Sequence, residues 1–432
     1  MIKVDPIAVV GGVRTPFAKA FGELAGASAV TLGKAALTGA VSRCGIPVDD
    51  VDEVVFGNVA GPPDAANIAR VIALSSNIPP ERVAHTVNRN CASGIESVIG
   101  AWHSLALGRS DIVVAGGTES MSQIPLLVRP EAAAIWMKLA RSKTLLERIK
   151  TLFTFRPRHF KPIVGVELGL TDPVSGLNMG QTAEILAKEF SISRDDQDAF
   201  AMASHRKAET AQKRCFLSGE IVPMEYGNTS MSKDNAIRYG QSMESLSKLR
   251  PIFERGGTVT AGNSCPLTDG AAAMVVCRSE DVSRFSGEPL GYVTSYAVAG
   301  CDPRRMGLGP VFAMNRLFNQ TGFSLADFDL IEINEAFAAQ VIACERAMQS
   351  RDFSQKHLGR STPLGTLDRD RLNIHGGAIA LGHPVGTTGT RLILTMLRAL
   401  RESGGKRGLV TLCVGGGQGA AVIVETEMEK RS

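Results

Sequence analysis

Short runs of β-branched and small apolar residues ending in glycine alternate along the chain with longer stretches of helical period. Ile7-Ala8-Val9-Val10-Gly11-Gly12 leads into an Ala/Leu-rich stretch over residues 28–44. Residues 54–57, 111–117, 271–277, 330–333 and 408–415 read as further strands. Their unbroken apolar character, in place of period-two alternation, predicts central strands covered on both faces. Strands punctuated by helices in this way predict an α/β protein.

The two halves of the chain echo each other. Asp52-Glu53-Val54-Val55-Phe56-Gly57 has the pattern of Asp329-Leu330-Ile331-Glu332-Ile333-Asn334, and residues 112–117 that of residues 411–416. In each half an acid-led strand is followed by a loop, a helix of small residues and a strand ending in paired glycines. A duplication accounts for this order. The general likeness of buried strands accounts for it too, and the pattern alone leaves both readings open.

One segment, roughly residues 123–173, breaks this grammar. Between Trp136 and Pro162 lie eight basic residues (Lys138, Arg141, Lys143, Arg148, Lys150, Arg156, Arg158 and Lys161) and one acid, Glu147, a local charge of +7. Leu145, Leu146, Ile149, Leu152 and Phe153 share one helical stripe, flanked by Arg141, Lys143, Arg148 and Lys150. Such a helix suits an anionic membrane surface or a docking partner. A solvated lid packed on its own protein is the alternative.

Composition narrows the classes. With 432 residues, 44% of them hydrophobic and 21% charged, the chain has enough apolar material for two or three domains, which excludes disordered and fibrous readings. The net charge of +4 makes no electrostatic case for nucleic acid, and 5% aromatics leave little for base stacking. Set against the basic segment, that +4 is an average over an acidic body and one basic insertion. The eight cysteines are scattered, without CxxC or zinc spacing, which fits a reducing cytosol and no metal. No apolar run reaches the roughly 18 residues of a membrane span. Met1-Ile2-Lys3 enters a strand-like run directly, and Glu429-Lys430-Arg431-Ser432 is no peroxisomal tripeptide. A cytoplasmic location is expected, with membrane association open through the basic segment.

The candidate chemistry sits in four places. Cys91, in Asn88-Arg89-Asn90-Cys91-Ala92-Ser93-Gly94, lies where a polar loop enters a small-residue helix; a helix N-terminus stabilises a thiolate. A lone cysteine is more often a small buried hydrophobe, so partners decide. Asn373-Ile374-His375-Gly376-Gly377-Ala378-Ile379-Ala380-Leu381-Gly382-His383-Pro384 holds two imidazoles in a glycine-rich stretch. His383 reads as the base and His375 as either a functional group or a loop anchor. Cys413 ends a buried strand at Gly415-Gly416-Gly417, whose N–H groups suit an oxyanion hole. Asn334-Glu335 ends another, as a strand cap or a water-orienting pair.

Together these residues resemble a thiolase over essentially the whole chain. Cys91-Ala92-Ser93-Gly94, Asn334-Glu335-Ala336-Phe337, Gly382-His383-Pro384 and Cys413-Val414-Gly415-Gly416-Gly417 stand in the family's order. The resemblance implies a duplicated fold: two similar five-stranded mixed-sheet halves in α-β-α-β-α layers plus an inserted loop domain. It sets the first half at residues 1–122, the loop domain at 123–257, a return to the first half at 258–285 and the second half at 286–432.

The same resemblance implies acyl transfer between 3-oxoacyl-CoA and CoA through an acyl-enzyme. Cys91 would be the nucleophile, His383 its activator and Cys413 the acid/base. His383 with a water on Asn334 would form one oxyanion hole, and the N–H groups of Cys91 and Gly415 a second. Substrate and CoA contacts would come from Asn178 (where many members have His), Met179, Arg238, Ser245, Phe253, Ala261, Cys265 (where a serine is frequent), Ala336 and Phe337. No prosthetic group or metal is implied; CoA and acyl-CoA are substrates. A homodimer or homotetramer is expected.

Within the family, the basic segment, Ala66-Asn67-Ile68-Ala69-Arg70 and the stretch 351–371 resemble the β subunit of fatty-acid oxidation complexes, which pairs with a hydratase/dehydrogenase α subunit. Asn-Glu-Ala-Phe in place of His-Glu-Ala-Phe, and Val-Gly after Gly-His-Pro, resemble the stand-alone enzymes. Fatty-acid degradation is the expected role. An acetoacetyl-CoA thiolase of synthetic metabolism and an inactive acyl-CoA-binding scaffold are the alternatives. Ketoacyl synthases share the fold but lack the second cysteine.

Overall fold

The computed structural model describes residues 5–428; the terminal residues on which the absence of targeting signals was argued, Met1 to Lys3 and Glu429 to Ser432, lie outside them. The principal strands are β1 (Ile7–Arg14), β2 (Glu53–Gly57), β3 (Val83–Val87), β4 (Ile112–Glu119), β5 (Thr268–Arg278), β6 (Gly291–Gly300), β7 (Leu330–Ile333), β8 (Arg407–Val414) and β9 (Gln418–Glu425). The principal helices are α1 (Ala29–Cys44), α2 (Ile68–Ser75), α3 (Ser93–Ala106), α4 (Pro130–Arg141), α5 (Leu145–Leu152), α6 (Met179–Glu189), α7 (Arg194–Lys213), α8 (Gly309–Thr321), α9 (Ala338–Gln349) and α10 (Thr388–Ser403). Pattern reading finds the six strands it named to within a few residues. It passes over β3, β6 and β9.

Strand order exposes the duplication. The first half runs β3-β2-β4-β5-β1, with β3, β2 and β4 parallel and the last two joins antiparallel. The second runs β7-β8-β9-β6, with β7 and β8 parallel and the rest antiparallel. Its counterpart of β3 is a single parallel bridge from Leu372 to Ile331. Among the described residues the second half therefore has four full strands and a vestige of the fifth, and β1 pairs with β6 to join the halves edge to edge. The repeat holds at single residues. Asp52 Oδ2 accepts the N–H groups of Asp111 and Ile112 at 2.9 and 3.1 Å, and Asp329 Oδ2 those of Lys406 and Arg407 at 2.7 and 2.9 Å. Each acid fixes its strand to the next by the same pair of bonds.

Three apolar cores alternate with the sheets. α1 and α2 cover one face of the first sheet through Leu32, Leu37, Ile68 and Ile72, and α8 and α9 cover the second through Val311, Leu317, Val341 and Ile342. Between the sheets lie α3 and α10, with Ile95, Val98, Leu392 and Leu397 packed on both. Strand residues alternate between these cores: Val275 faces the outer one and Val276 the middle, Leu409 the outer and Val410 the middle. Both strand faces are therefore dry, which is why the runs carry no polar alternation.

The middle layer positions the site. α3 and α10 meet at their N-terminal turns, where a β-carbon on Gly94 would lie 2.5 Å from Thr390 N and one on Gly389 2.3 Å from Ile95 N. Only glycine permits so close an approach. The loops feeding the two helices, one carrying Cys91 and the other His383, are thereby held side by side.

The segment between β4 and β5 carries α4 to α7. The stripe on α5 and just beyond it is uncovered: Leu145, Leu146, Ile149, Leu152 and Phe153 are all exposed, Phe153 at 80%. The reading of this helix as a lid packed on its own protein therefore fails. Trp136, Phe155 and Phe160 instead form a small aromatic cluster with centroids 5.0–5.2 Å apart. No helix among the described residues is long and apolar enough to cross a membrane.

Candidate active site

Cys91 lies in the turn between β3 and α3, two residues before the helix begins. Asn90 before it adopts φ +45°, a left-handed conformation in which a non-glycine residue is uncommon and strained. The strain is held from several sides. Asn90 Nδ2 donates to Gly415 O at 2.8 Å, and Arg89 binds Glu96 at 2.6 Å and Gln418 at 3.0 Å. The thiol is partly exposed. Burial raises its pKa, the N–H groups of Gly415 and of Cys91 itself pull it back, and the charge on Glu119 raises it further. Cys91 rests as a thiol beside two donors suited to a negative charge, and as a nucleophile it would need a base.

His383 is the candidate base. It is buried, and its Nδ1 lies 2.6 Å from Thr388 Oγ1 at the start of α10. Thr388 Oγ1 donates its single proton to Pro384 O at 3.1 Å, so it accepts from Nδ1–H. That fixes the tautomer with a lone pair on Nε2. Burial, with the buried Arg391 cation, lowers the imidazole to about 4, so it is neutral at pH 7.

Nε2 of His383 and both polar atoms of Asn334 are buried without a hydrogen-bond partner among the described residues. Buried polar atoms without partners cost stability unless a ligand or water meets them. Asn334 follows β7, its N–H on Thr411 O at 3.0 Å. The adjacent Glu335 is a loop anchor: it accepts from Ser204, Asn373 and the Ile379 N–H at 2.6, 2.7 and 3.2 Å.

Cys413, at the end of β8, is 1% exposed. Burial first, then the neighbouring Cys91, Cys344, Cys265 and Cys301, hold its thiol well above the ordinary range. It is protonated at neutral pH. Cys265 is pushed up to about 12 in the same way.

The substrate candidates divide into two groups. Cys265 N donates to Ala336 O at 3.0 Å, and Ser264 bridges Phe337, so the strand-like 258–265 segment lies along the Asn334 motif. Phe253 meets Phe337 edge-on at 5.9 Å, and a β-carbon on Gly415 would lie 3.3 Å from Met179 Sδ. Met179, Phe253, Cys265, Ala336, Phe337 and Gly415 thus share one neighbourhood. Asn178 caps α6, its Oδ1 accepting from Gln181 N at 2.9 Å, which leaves only its amide nitrogen free. Arg238 and Ser245 are exposed on the loop segment and Ala261 on the 258–265 segment, with the Arg238 N–H on His205 Nδ1 at 3.2 Å. His375 stacks on Phe216 at 3.6 Å with Nε2 3.1 Å from Glu402, and neither ring nitrogen makes a hydrogen bond among the described residues. Sequence reading missed Thr388 and Glu119. Glu119 had a signal, a lone carboxylate closing an otherwise uncharged strand.

The chain belongs to the thiolase family. The profile of the thiolase N-terminal domain matches residues 7–280 and that of the C-terminal domain residues 287–426. A 3-ketoacyl-CoA thiolase of Yersinia enterocolitica is 39% identical over 427 residues, 98% of this chain and 97% of that one. The human mitochondrial 3-ketoacyl-CoA thiolase solved with CoA superposes with a TM-score of 0.84 at 35% identity, covering 98% of this chain and 99% of that one. The Bacillus anthracis acetyl-CoA acetyltransferase gives 0.86 at 33% identity, covering 99% and 100%. The protein is accordingly an acyltransferase using CoA thioesters.

Proposed function

We infer that the chain is a degradative 3-ketoacyl-CoA thiolase. The observation that carries this reading is the pair of unlike thiols: Cys91 partly open beside two N–H donors, and Cys413 fully buried and held protonated. His383 Nε2 takes the proton of Cys91, and the sulfur attacks the 3-oxo carbon. The N–H groups of Cys91 and Gly415 receive the charge on that oxygen. Collapse breaks the C2–C3 bond. The acyl group stays on Cys91, and the electron pair leaves as the enolate of acetyl-CoA, its oxygen facing His383 Nε2–H and a water on Asn334. Cys413 then gives its proton to C2. The Cys413 thiolate next takes the proton of incoming CoA, whose sulfur attacks the acyl group; the C–S bond to Cys91 breaks, and the Cys91 sulfur takes back its proton from His383 Nε2–H.

The apolar surroundings of Met179, Phe253 and Phe337 suit an acyl chain longer than acetyl. An acetoacetyl-CoA thiolase is the second reading, favoured by likeness to the acetyl-CoA acetyltransferase. Thiolysis against a ladder of 3-oxoacyl-CoA chain lengths decides between them. The inference expects cleavage of medium-chain substrates; activity on acetoacetyl-CoA alone overturns it.

Assembly follows from two surfaces. β3 ends the sheet with Val83 56% exposed, and its open row of N–H and C=O groups suits pairing with a second copy, which makes a homodimer or a dimer of dimers the expected unit. The uncovered basic α4–α5 segment suits an anionic membrane surface or an α subunit, which would place a cytoplasmic enzyme at the membrane face.

A further inference from the structure

The loop that carries His383 is gripped at both ends by a buried carboxylate, one from each half of the molecule. Glu335, from the second half, accepts from Ile379 N on the N-terminal side. Glu119, the last residue of β4 in the first half, accepts from Gly386 N at 2.8 Å on the C-terminal side. Glu119 is fully buried, and its two oxygens also receive Asn58 Nδ2 at 2.9 Å and the backbone N–H groups of Val59 and Ala60 at 3.1 and 3.0 Å. Four donors from two loops converge on one side chain.

Each of these partners is a donor, so the arrangement accepts only an ionised carboxylate; a proton on either oxygen would face an N–H. Burial pushes the other way, raising the group to about 7. No Arg or Lys among the described residues forms a hydrogen bond or ion pair with it. An uncompensated buried charge is an expensive way to fasten a surface loop, and here the fastened loop is the catalytic one. The fit is tight: a β-carbon on Gly386 would lie 2.9 Å from Glu119 Oε2, 2.9 Å from Asn58 Cα and 3.0 Å from Gly57 O. From Gly386 the restraint passes along a short path. Thr387 N and Thr388 N both bond Pro384 O, and Thr388 Oγ1 holds His383 Nδ1.

We propose that Glu119 is a positioning residue for catalysis, clamping the Gly386 turn so that His383 Nε2 is held toward Cys91 across the boundary between the two halves. It touches neither substrate nor the reacting atoms; its charge raises the Cys91 thiol, and its clamp acts through His383. The proposal rests on the assignment of Cys91 and His383 above.

The test is Glu119→Gln, in which an amide NH₂ replaces one acceptor oxygen and faces donors. Fold is checked by circular dichroism and melting. Steady-state kcat and KM are measured with a medium-chain 3-oxoacyl-CoA and CoA, alongside the rate at which iodoacetamide alkylates Cys91. A folded variant should lose at least about tenfold in kcat with both KM values within about threefold, and the alkylation rate should fall as well, even though loss of the Glu119 charge on its own lowers the Cys91 thiol. Glu119→Asp, which keeps the acceptors, should recover part of the loss. A folded Glu119→Gln with kcat within twofold of the parent overturns the proposal, and so does a loss confined to KM. Should Glu119→Gln not fold, Asn58→Ala removes one of the four donors and is expected to lower kcat severalfold at constant KM; unchanged kcat there overturns the proposal equally. A parent enzyme not alkylated at Cys91 would instead overturn the site assignment itself.

Discussion

His383 Nδ1 and Thr388 Oγ1 stand 2.6 Å apart, with the threonine proton committed to Pro384 O. One hydroxyl at the first turn of α10 thus decides which imidazole nitrogen carries hydrogen, and leaves the lone pair on Nε2. Thr388→Val keeps the shape and removes the acceptor. Acyl-enzyme formation should slow by about tenfold or more while KM changes little. Thr388→Ser should keep most of the rate, as measured by rapid quench.

The low pKa of His383 has a direction. Its folded value of about 4 lies below the ordinary 6.5, so the neutral base persists as pH falls from 6.5 toward 4. The rate of Cys91 acylation should therefore keep its acid limb below pH 6. An apparent pKa at or above 6.5 in the pH–rate profile would show a solvated imidazole and contradict the geometry.

Cys413→Ala should separate the two halves of the reaction. With acetyl-CoA as donor, no C–C bond is broken and Cys91 should still acylate. Thiolysis of 3-oxoacyl-CoA, which needs a proton at C2, should fall by about 10²–10⁴-fold. Mass analysis of the intact protein and a coupled thiolysis assay read the two steps.

Stability has its own buried centre. Arg14 is fully buried and bonded to Glu220 and Asp234, each at 2.6 Å. This ties β1 to the segment leading out of α7. Arg14→Met leaves two buried carboxylates without their cation and should cost about 3–5 kcal/mol in denaturant unfolding.

The exposed stripe on α5 predicts a surface function separable from catalysis. Replacing Leu145, Ile149 and Phe153 by serine should abolish cosedimentation with vesicles containing anionic lipid and leave soluble thiolysis unchanged. Retained binding would remove the stripe from the account.

Much of this architecture was legible in the sequence because strands dry on both faces advertise themselves as unbroken apolar runs, as β4 and β8 do. β3 was not: its exposed Val83 and His85 give it an edge strand's mixed pattern. β6 was missed because its mixed burial breaks the run. The four motif residues of the site were visible because each sits in an unusual local context of glycine, asparagine or proline. Thr388 and Glu119 were harder, since a hydroxyl at a helix start and a carboxylate at a strand end acquire meaning only when distant loops converge on them. His375, which the motif leaves open between chemistry and loop anchoring, packs its ring on Phe216, a contact no local pattern announces.

The central claim is that Cys91 carries the acyl group. The most direct measurement is a quench of the enzyme mixed with a 3-oxoacyl-CoA, followed by peptide mass analysis. The account predicts the acyl mass increment on the peptide containing Cys91, and its loss in Cys91→Ala. An increment on the Cys413 or Cys265 peptide, or one that persists in Cys91→Ala, would contradict it.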